Sequence, residues 1–385
     1  MITLYCAGYR YSFDVRFVPV WLAYVALDAY IAFYNYREAL GYVGESFKKC
    51  FEESYCIAII ELVNRNWGPL MVLVCLMFGG RRHKVVALAG TERTLAFLRD
   101  TDAADWGASG AATVRLSPCV KYYSVVVIAA YMTCILMYTT TIPFRVTITY
   151  AFYSMGQTAL YNLAMLQYYV LERGYARVNR LLETIDIYRD PVSARRLLAR
   201  LSDVHDELGR LVDTLNRAYV LSLLFKWPYT IVRLIMIVFR IIELSAVVRI
   251  ADHPFGHSAA ILIVEHAAEI GLSLFQLSCF STIGEHLSHQ AGHFSVVFRA
   301  QRTLASLQKL KLSRGYHLDL ETKKMITIFW VRVNARKIKA NIGGYIIIDM
   351  DFIKSVCGII ATYFLVLIQF KFQKGKSKPL HHLWN

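Results

Sequence analysis

The residues that could do chemistry in this sequence are not those of an enzyme. There is no Gly-rich phosphate loop, no His-Glu-x-x-His and no nucleophile elbow, and Cys357 and the scattered Ser and His residues form no ordered triad. The eight Cys include no Cys-x-x-Cys pair, so no zinc or redox site is expected. No catalytic residue, cofactor or metal site is assigned. What stands out is a polar stripe on an apolar run. Ser355, Thr362 and Gln369 lie seven residues apart among Val, Gly, Ile, Ala, Phe and Leu. On a helix that spacing puts all three on one face. A Gln in lipid is costly unless it is satisfied, so this face meets protein or water. Two explanations stay open: a pore lining, if symmetric copies meet at an axis, or a helix–helix contact held by small polar groups.

A second set of polar and aromatic residues lies in the other apolar runs. Trp67, Tyr138, Thr141, Tyr150, Tyr153, Arg240, Glu243, Glu265 and His266 are the candidates for ligand contact. Glu61, Asn64, Arg65, Thr140 and Glu269 lie near them. Ionisable groups at membrane depth face protein or a wet cavity, and aromatic walls with a few polar groups suit small organic ligands. Each has a plainer explanation. Glu61 and Arg65 can pair at i,i+4. Arg240 can pair with Glu243, Glu265 or Glu269. The tyrosines can form an interfacial belt, and His266 can be a satisfied buried imidazole. Lys226, Arg233 and Arg240 share a seven-residue spacing, too wide for a voltage sensor.

The elements that must position these groups follow from composition. The chain is 385 residues, 56% apolar and only 18% charged, with mean hydropathy +0.39. That excludes disorder and a disulfide scaffold, and it points to an all-α, polytopic membrane protein. Seven spans are expected, at 17–36, 56–79, 122–142, 149–171, 219–247, 259–281 and 352–370. The first is too long for a signal peptide. Pro143 and Arg145 mark a turn, Trp227-Pro228 interrupts the fifth span, and Ser313-Arg314-Gly315 marks a break in the segment before the seventh.

Residues 1–171 then hold the first four spans with a cytoplasmic loop, and 218–281 spans five and six. Segments 172–217 and 282–351 are polar. In the former, Leu197, Leu198, Leu201, Val204, Leu208, Leu211 and Leu215 recur at helical spacing. Both are expected as cytoplasmic helices, either plain surface or subunit-assembly elements. Residues 371–385 form an extracellular tail.

The charge decides the orientation. With the N-terminus inside, the cytoplasmic segments carry 29 of the 43 Lys and Arg residues, against 9 outside. The net charge of +15 is then a matter of topology, and no nucleic-acid partner is needed. The tail Lys371, Lys374, Lys376 and Lys378 runs against this orientation. Seven spans with the N-terminus in and the C-terminus out is the inverse of a G-protein-coupled receptor.

The run Thr362-Tyr363-Phe364-Leu365-Val366-Leu367-Ile368-Gln369-Phe370 resembles the C-terminal hallmark of insect gustatory receptors: Thr-Tyr, five hydrophobic residues, then Gln-Phe. Ile342-Gly343-Gly344-Tyr345 and Asp349-Met350-Asp351 resemble the same family's lead-in to the last helix. The resemblance implies a tetrameric, ligand-gated, non-selective cation channel in the plasma membrane of sensory neurons. It implies that 352–370 lines the pore, that Gln369 and Phe370 form the gate, that Thr362 and Tyr363 sit deeper, and that 172–217 and 282–351 build a cytoplasmic anchor. The expected partners are a small tastant, membrane lipid, and like or related subunits. Phe364 stands where sugar-sensing members tend to carry Glu, which favours bitter or aversive compounds. The alternative is a seven-span inverted-topology chemoreceptor that modulates a partner channel without conducting.

Overall fold

The structure is a computed structural model. It describes residues 2–6, 9–13, 81–105, 144–185, 191–248, 256–291, 306–310, 319–335 and 338–375, together with isolated positions 26, 126, 127, 129, 133 and 303. Span 56–79, nearly all of 17–36 and most of 122–142 lie outside the described residues, as do Pro143 and Ser313-Arg314-Gly315. The chain divides into two compact units: Met1–Phe78 with Tyr138–Gln157, and Gly79–Met137 with Thr158–Asn385. In the first unit, β1 (Ile2–Cys6) and β2 (Tyr9–Phe13) form an antiparallel hairpin with Ile2 opposite Phe13, within a segment for which no structure was expected.

The second unit is helical. Its elements are α1 (Arg81–Asp105), the greater part of α2 (Phe144–Thr184), α3 (Pro191–Ala218), α4 (Val220–Val248), α5 (Gly256–Ala291), α6 (Leu320–Ala335) and α7 (Met350–Gly375). A two-stranded hairpin, β3 (Asn341–Ile342) and β4 (Ile346–Ile347), stands just before α7. Helix α2 is 41 residues long and α5 is 36. At about 1.5 Å per residue each exceeds a bilayer core of about 30 Å. The expected spans 149–171 and 259–281 therefore continue without a break into their polar extensions. Among the described residues, Ser222–Ile242 and Ala260–His289 are long and apolar enough to cross a membrane.

Helix α3 shows why the extensions fold. Pro191 opens it at the first turn, where a missing N–H costs nothing. Leu198, Leu201, Leu208, Leu211 and Leu215 are buried, and Leu197 and Val204 pack against them. Each fully buried Leu stabilises by about 1.5–3 kcal/mol. One side of α3 meets α1, where a Cβ on Gly90 would come within 2.6 Å of Leu211 Cδ1. Another meets α6. Hydrogen bonds from Tyr219 N to Leu215 O (3.0 Å) and from Leu223 N to Tyr219 O (2.9 Å) carry the backbone almost straight into α4. Helix α4 runs through Pro228 rather than breaking there. One lost backbone bond is tolerable inside a helix held by its neighbours.

Candidate functional site

Helix α7 carries the polar stripe. Its inward face is Phe352, Ile353, Val356 and Ile360, which join the core; the helix packs on α4 and α5. Ser355, Thr362 and Gln369 lie on the opposite, exposed face, and Tyr363 is 59% exposed beside them. The hydroxyls of Ser355 and Thr362 donate to the carbonyls of Asp351 and Gly358, each at 2.9 Å. That leaves Gln369 as the stripe's amide, facing away from its own chain.

The foot of α7 is fixed by four devices. Asp349 caps it, accepting a hydrogen bond from Phe352 N at 3.0 Å. Glu285 of α5 accepts one from Met350 N at 3.3 Å. Gly284 lets α5 approach so closely that a Cβ there would lie 2.1 Å from Ile348 O. The preceding hairpin turns through Gly343 and Gly344 at φ of 62° and 83°, which glycine adopts without strain. Tyr345 stands at its tip, 94% exposed. Buried Asn216 of α3 ties this hairpin down. Its Oδ1 accepts from Tyr168 Oη (2.7 Å) and Asn341 N (3.0 Å), and its Nδ2 donates to Lys339 O (2.9 Å). A cavity of about 410 Å³ opens alongside, lined by Asp213, Arg217, Val220 and the two glycines among others.

A polar cluster lies between α4 and α5, which among the described residues pack along each other more extensively than any other helix pair. Arg233 of α4 grips Glu269 of α5 through both Nε and Nη2. Glu265 and His266, one turn earlier on α5, are only 2% and 6% exposed. Arg240 is half-buried on α4. Below the cluster an aromatic group joins four helices. Trp227 (α4) lies 5.6 Å from Tyr161 (α2) and 5.5 Å from Phe352 (α7), and Phe280 (α5) lies 5.1 Å from Tyr161 and 5.7 Å from Tyr168. Tyr161 Oη donates to Gln276 O at 3.0 Å. The foot of the pore-candidate helix thus touches the same side chains that pack α2, α4 and α5 together.

Of the candidates for ligand contact, the structure brings Glu265 and His266 together and places Arg240 on the neighbouring helix. Trp67, Tyr138 and Thr141 lie outside the described residues. Tyr150, Tyr153, Glu243 and Phe370 are in helices, but their side chains are not among those described. Sequence reasoning did not weigh Arg233 as a partner of Glu269, which it grips through two nitrogens. It passed over Trp227 as part of a break, and over Gly284 entirely. Arg233 carried a usable signal: an Arg inside an apolar run needs a carboxylate on a facing helix. Gly284 carried none, because its neighbour is 64 residues away.

Comparison with known proteins agrees with this architecture. Residues 57–374 match the 7tm Chemosensory receptor family. The chain belongs to that family: it is a multi-pass membrane chemoreceptor with the all-helical seven-transmembrane fold, and not an enzyme. A search of curated proteins finds no match. Among solved structures it is similar to the insect olfactory receptor OR5 from Machilis hrabei, at 13% identity and TM-score 0.56, over 91% of this chain and 88% of that one. The same receptor in complex with eugenol matches at 13% identity and TM-score 0.55, over 93% and 91%.

Proposed function

We propose that this chemoreceptor is a gustatory, ligand-gated, non-selective cation channel, assembled as a tetramer around α7. The observation that carries this reading is the segregation of α7. Phe352, Ile353, Val356 and Ile360 pack on its own chain, while Ser355, Thr362 and Gln369 face away from it as a polar stripe among the exposed Ile359, Leu365 and Val366. Four such faces around an axis make a polar conduit. The gate is a ring of Phe370 that excludes water, exchanged for Gln369 when the helix turns. Gln is neutral, so it forms no fixed charge ring and selectivity is weak.

The Thr-Tyr and Gln-Phe ends of the motif support a taste rather than an odour receptor, and Phe364 supports bitter or aversive compounds over sugars. The ligand pocket lies beside the α4–α5 cluster, toward the outer leaflet. The eugenol complex of the similar receptor supports a small organic ligand. The Trp227–Phe352 contact gives the pocket helices a direct grip on α7. Localisation is the plasma membrane of a sensory cell.

The test is whole-cell current from cells expressing the chain, with a bitter-compound panel and with Phe370→Ala in parallel. Ligand-evoked current, and raised basal current in Phe370→Ala, are expected. A protein that reaches the surface and stays silent in both, alone and with related subunits, overturns the channel and leaves a receptor that acts through a partner.

A further inference from the structure

We propose that the cavity between the end of α3 and the β3–β4 hairpin holds the headgroup of a zwitterionic phospholipid, one carrying a phosphate and an ammonium, whose acyl chain lies along α4. Position is the first observation. Val220 lines the cavity and opens α4, whose stretch long and apolar enough to cross a membrane starts at Ser222. Gly343 and Gly344 line it from the hairpin that leads into α7. The cavity therefore sits where polar extensions give way to spans, at the depth of lipid headgroups. Its volume of about 410 Å³ is near the low end for ligand pockets, about 300–1,000 Å³, and suits a headgroup rather than a whole lipid.

The polar groups of the lining set the chemistry. The amide of Asn216 is spent on Tyr168, Asn341 and Lys339. That of Asn341 is spent too: its Oδ1 accepts from Gly344 N at 2.8 Å, and its Nδ2 donates to Lys339 O at 3.3 Å. Arg217 is exposed and makes no side-chain hydrogen bond or ion pair among the described residues. Its guanidinium has five donors in a fork that matches phosphate. The other charged side chain of the lining is Asp213, half-buried one turn earlier on α3. One cation and one carboxylate make the lining formally neutral. A polyanionic headgroup would be repelled by Asp213, whereas a phosphate on Arg217 with an ammonium toward Asp213 matches both signs. The ammonium need only lie near Asp213 for that charge to count, whatever else Asp213 bonds.

The third observation is the surface beyond the cavity. Leu224, Pro228 and Val232 follow Val220 along α4 in four-residue steps, and all three are exposed. At about 100° per residue they lie within an arc of about 80°, an apolar track for an acyl chain that starts at the cavity. The ring of exposed Tyr345 lies at the rim, where a Cβ on Gly343 would be 3.5 Å from its Cδ2. A tyrosine so placed has the apolar body and wet hydroxyl of an aromatic belt residue. A lipid held there bridges α3, α4 and the hairpin, and so steadies the foot of α7.

The experiment titrates the delipidated full chain in detergent with phosphatidylethanolamine, reading bound lipid by native mass spectrometry and the thermal melt. One saturable lipid per chain and a raised melting temperature are expected. Phosphatidylglycerol, which is anionic, should bind more weakly. Inorganic phosphate and glycerophosphoethanolamine, which lack chains, should not displace the lipid at equal concentration. Arg217→Gln should weaken binding about 10-fold, while Arg196→Gln, an equal loss of charge at the other end of α3, leaves it unchanged. Leu224→Asn should weaken it as well, and carries the test if Arg217→Gln fails to fold. Tighter binding of phosphatidylglycerol, displacement by free phosphate, or binding unaltered in both variants overturns the site. A cavity filled instead by a second copy of the chain shows as an oligomer with no saturable lipid, and overturns it equally. No readout needs a current, so the result stands apart from whether the chain conducts.

Discussion

Two helices of this receptor carry polar groups at membrane depth and dispose of them differently. On α5, Glu265, His266 and Glu269 turn into the chain, and Arg233 comes across from α4 to meet them. On α7, Ser355, Thr362 and Gln369 turn out of it. In one helix the cost of polarity in lipid is met inside the protomer. In the other, Ser355 and Thr362 bond back to their own helix, and the amide of Gln369 is left to whatever lies on the far side of α7. A stripe that a chain leaves unmet belongs to an assembly or to water; a cluster that it encloses belongs to its own stability or to a ligand.

Mutations can break this contrast, and the largest effect belongs on the enclosed side. Arg233→Leu strands Glu269 and should cost about 3–5 kcal/mol, read as loss of surface expression and of a cooperative melt. Arg233→Leu with Glu269→Leu should recover most of it. Gly284→Ala comes next. It presses a methyl group against the backbone oxygen of Ile348, and should destabilise by about 1–3 kcal/mol and displace the foot of α7. Its signature is altered gating in whatever protein reaches the surface.

The exposed side should behave oppositely. Gln369→Ala should leave the melt within about 0.5 kcal/mol of the parent, as surface changes do, yet alter conductance or selectivity. A melt that falls by several kcal/mol would move Gln369 into the enclosed class and remove the pore.

The smallest effect is outside the membrane. Asp319 caps α6, and the hydrogen bond from the Thr322 hydroxyl, with lesser help from Thr322 N and Arg195, holds its carboxyl below the usual range. A depressed acid contributes stability above its unfolded pKa of about 3.9, which is lost as pH falls through its folded value. Asp319→Asn should lower the melting temperature slightly at neutral pH, and the difference from the parent should vanish below about pH 4.

Much of this was legible along the chain. The leucines of α3 repeat at helical spacing because one helix face alone is buried, and such a period survives without knowledge of the partner. The Ser355, Thr362 and Gln369 stripe was legible for the same reason. The continuous run of α4 through Pro228 was not, because a proline's local cost is visible in sequence while the packing that absorbs it is not. Nor was the pairing of Arg233 with Glu269.

The sequence by itself determined the class: apolar spans, the inside excess of Lys and Arg, helix faces and the terminal Thr-Tyr and Gln-Phe signature are all local or additive properties. Only the tertiary structure decided which charges meet, which face of α7 is left outward, and that Gly284 and Asn216 seat its foot. Those depend on residues 36, 64 and 125 positions apart being brought within contact. Pairing at such distance is set by how whole helices pack, and no spacing along the chain records it.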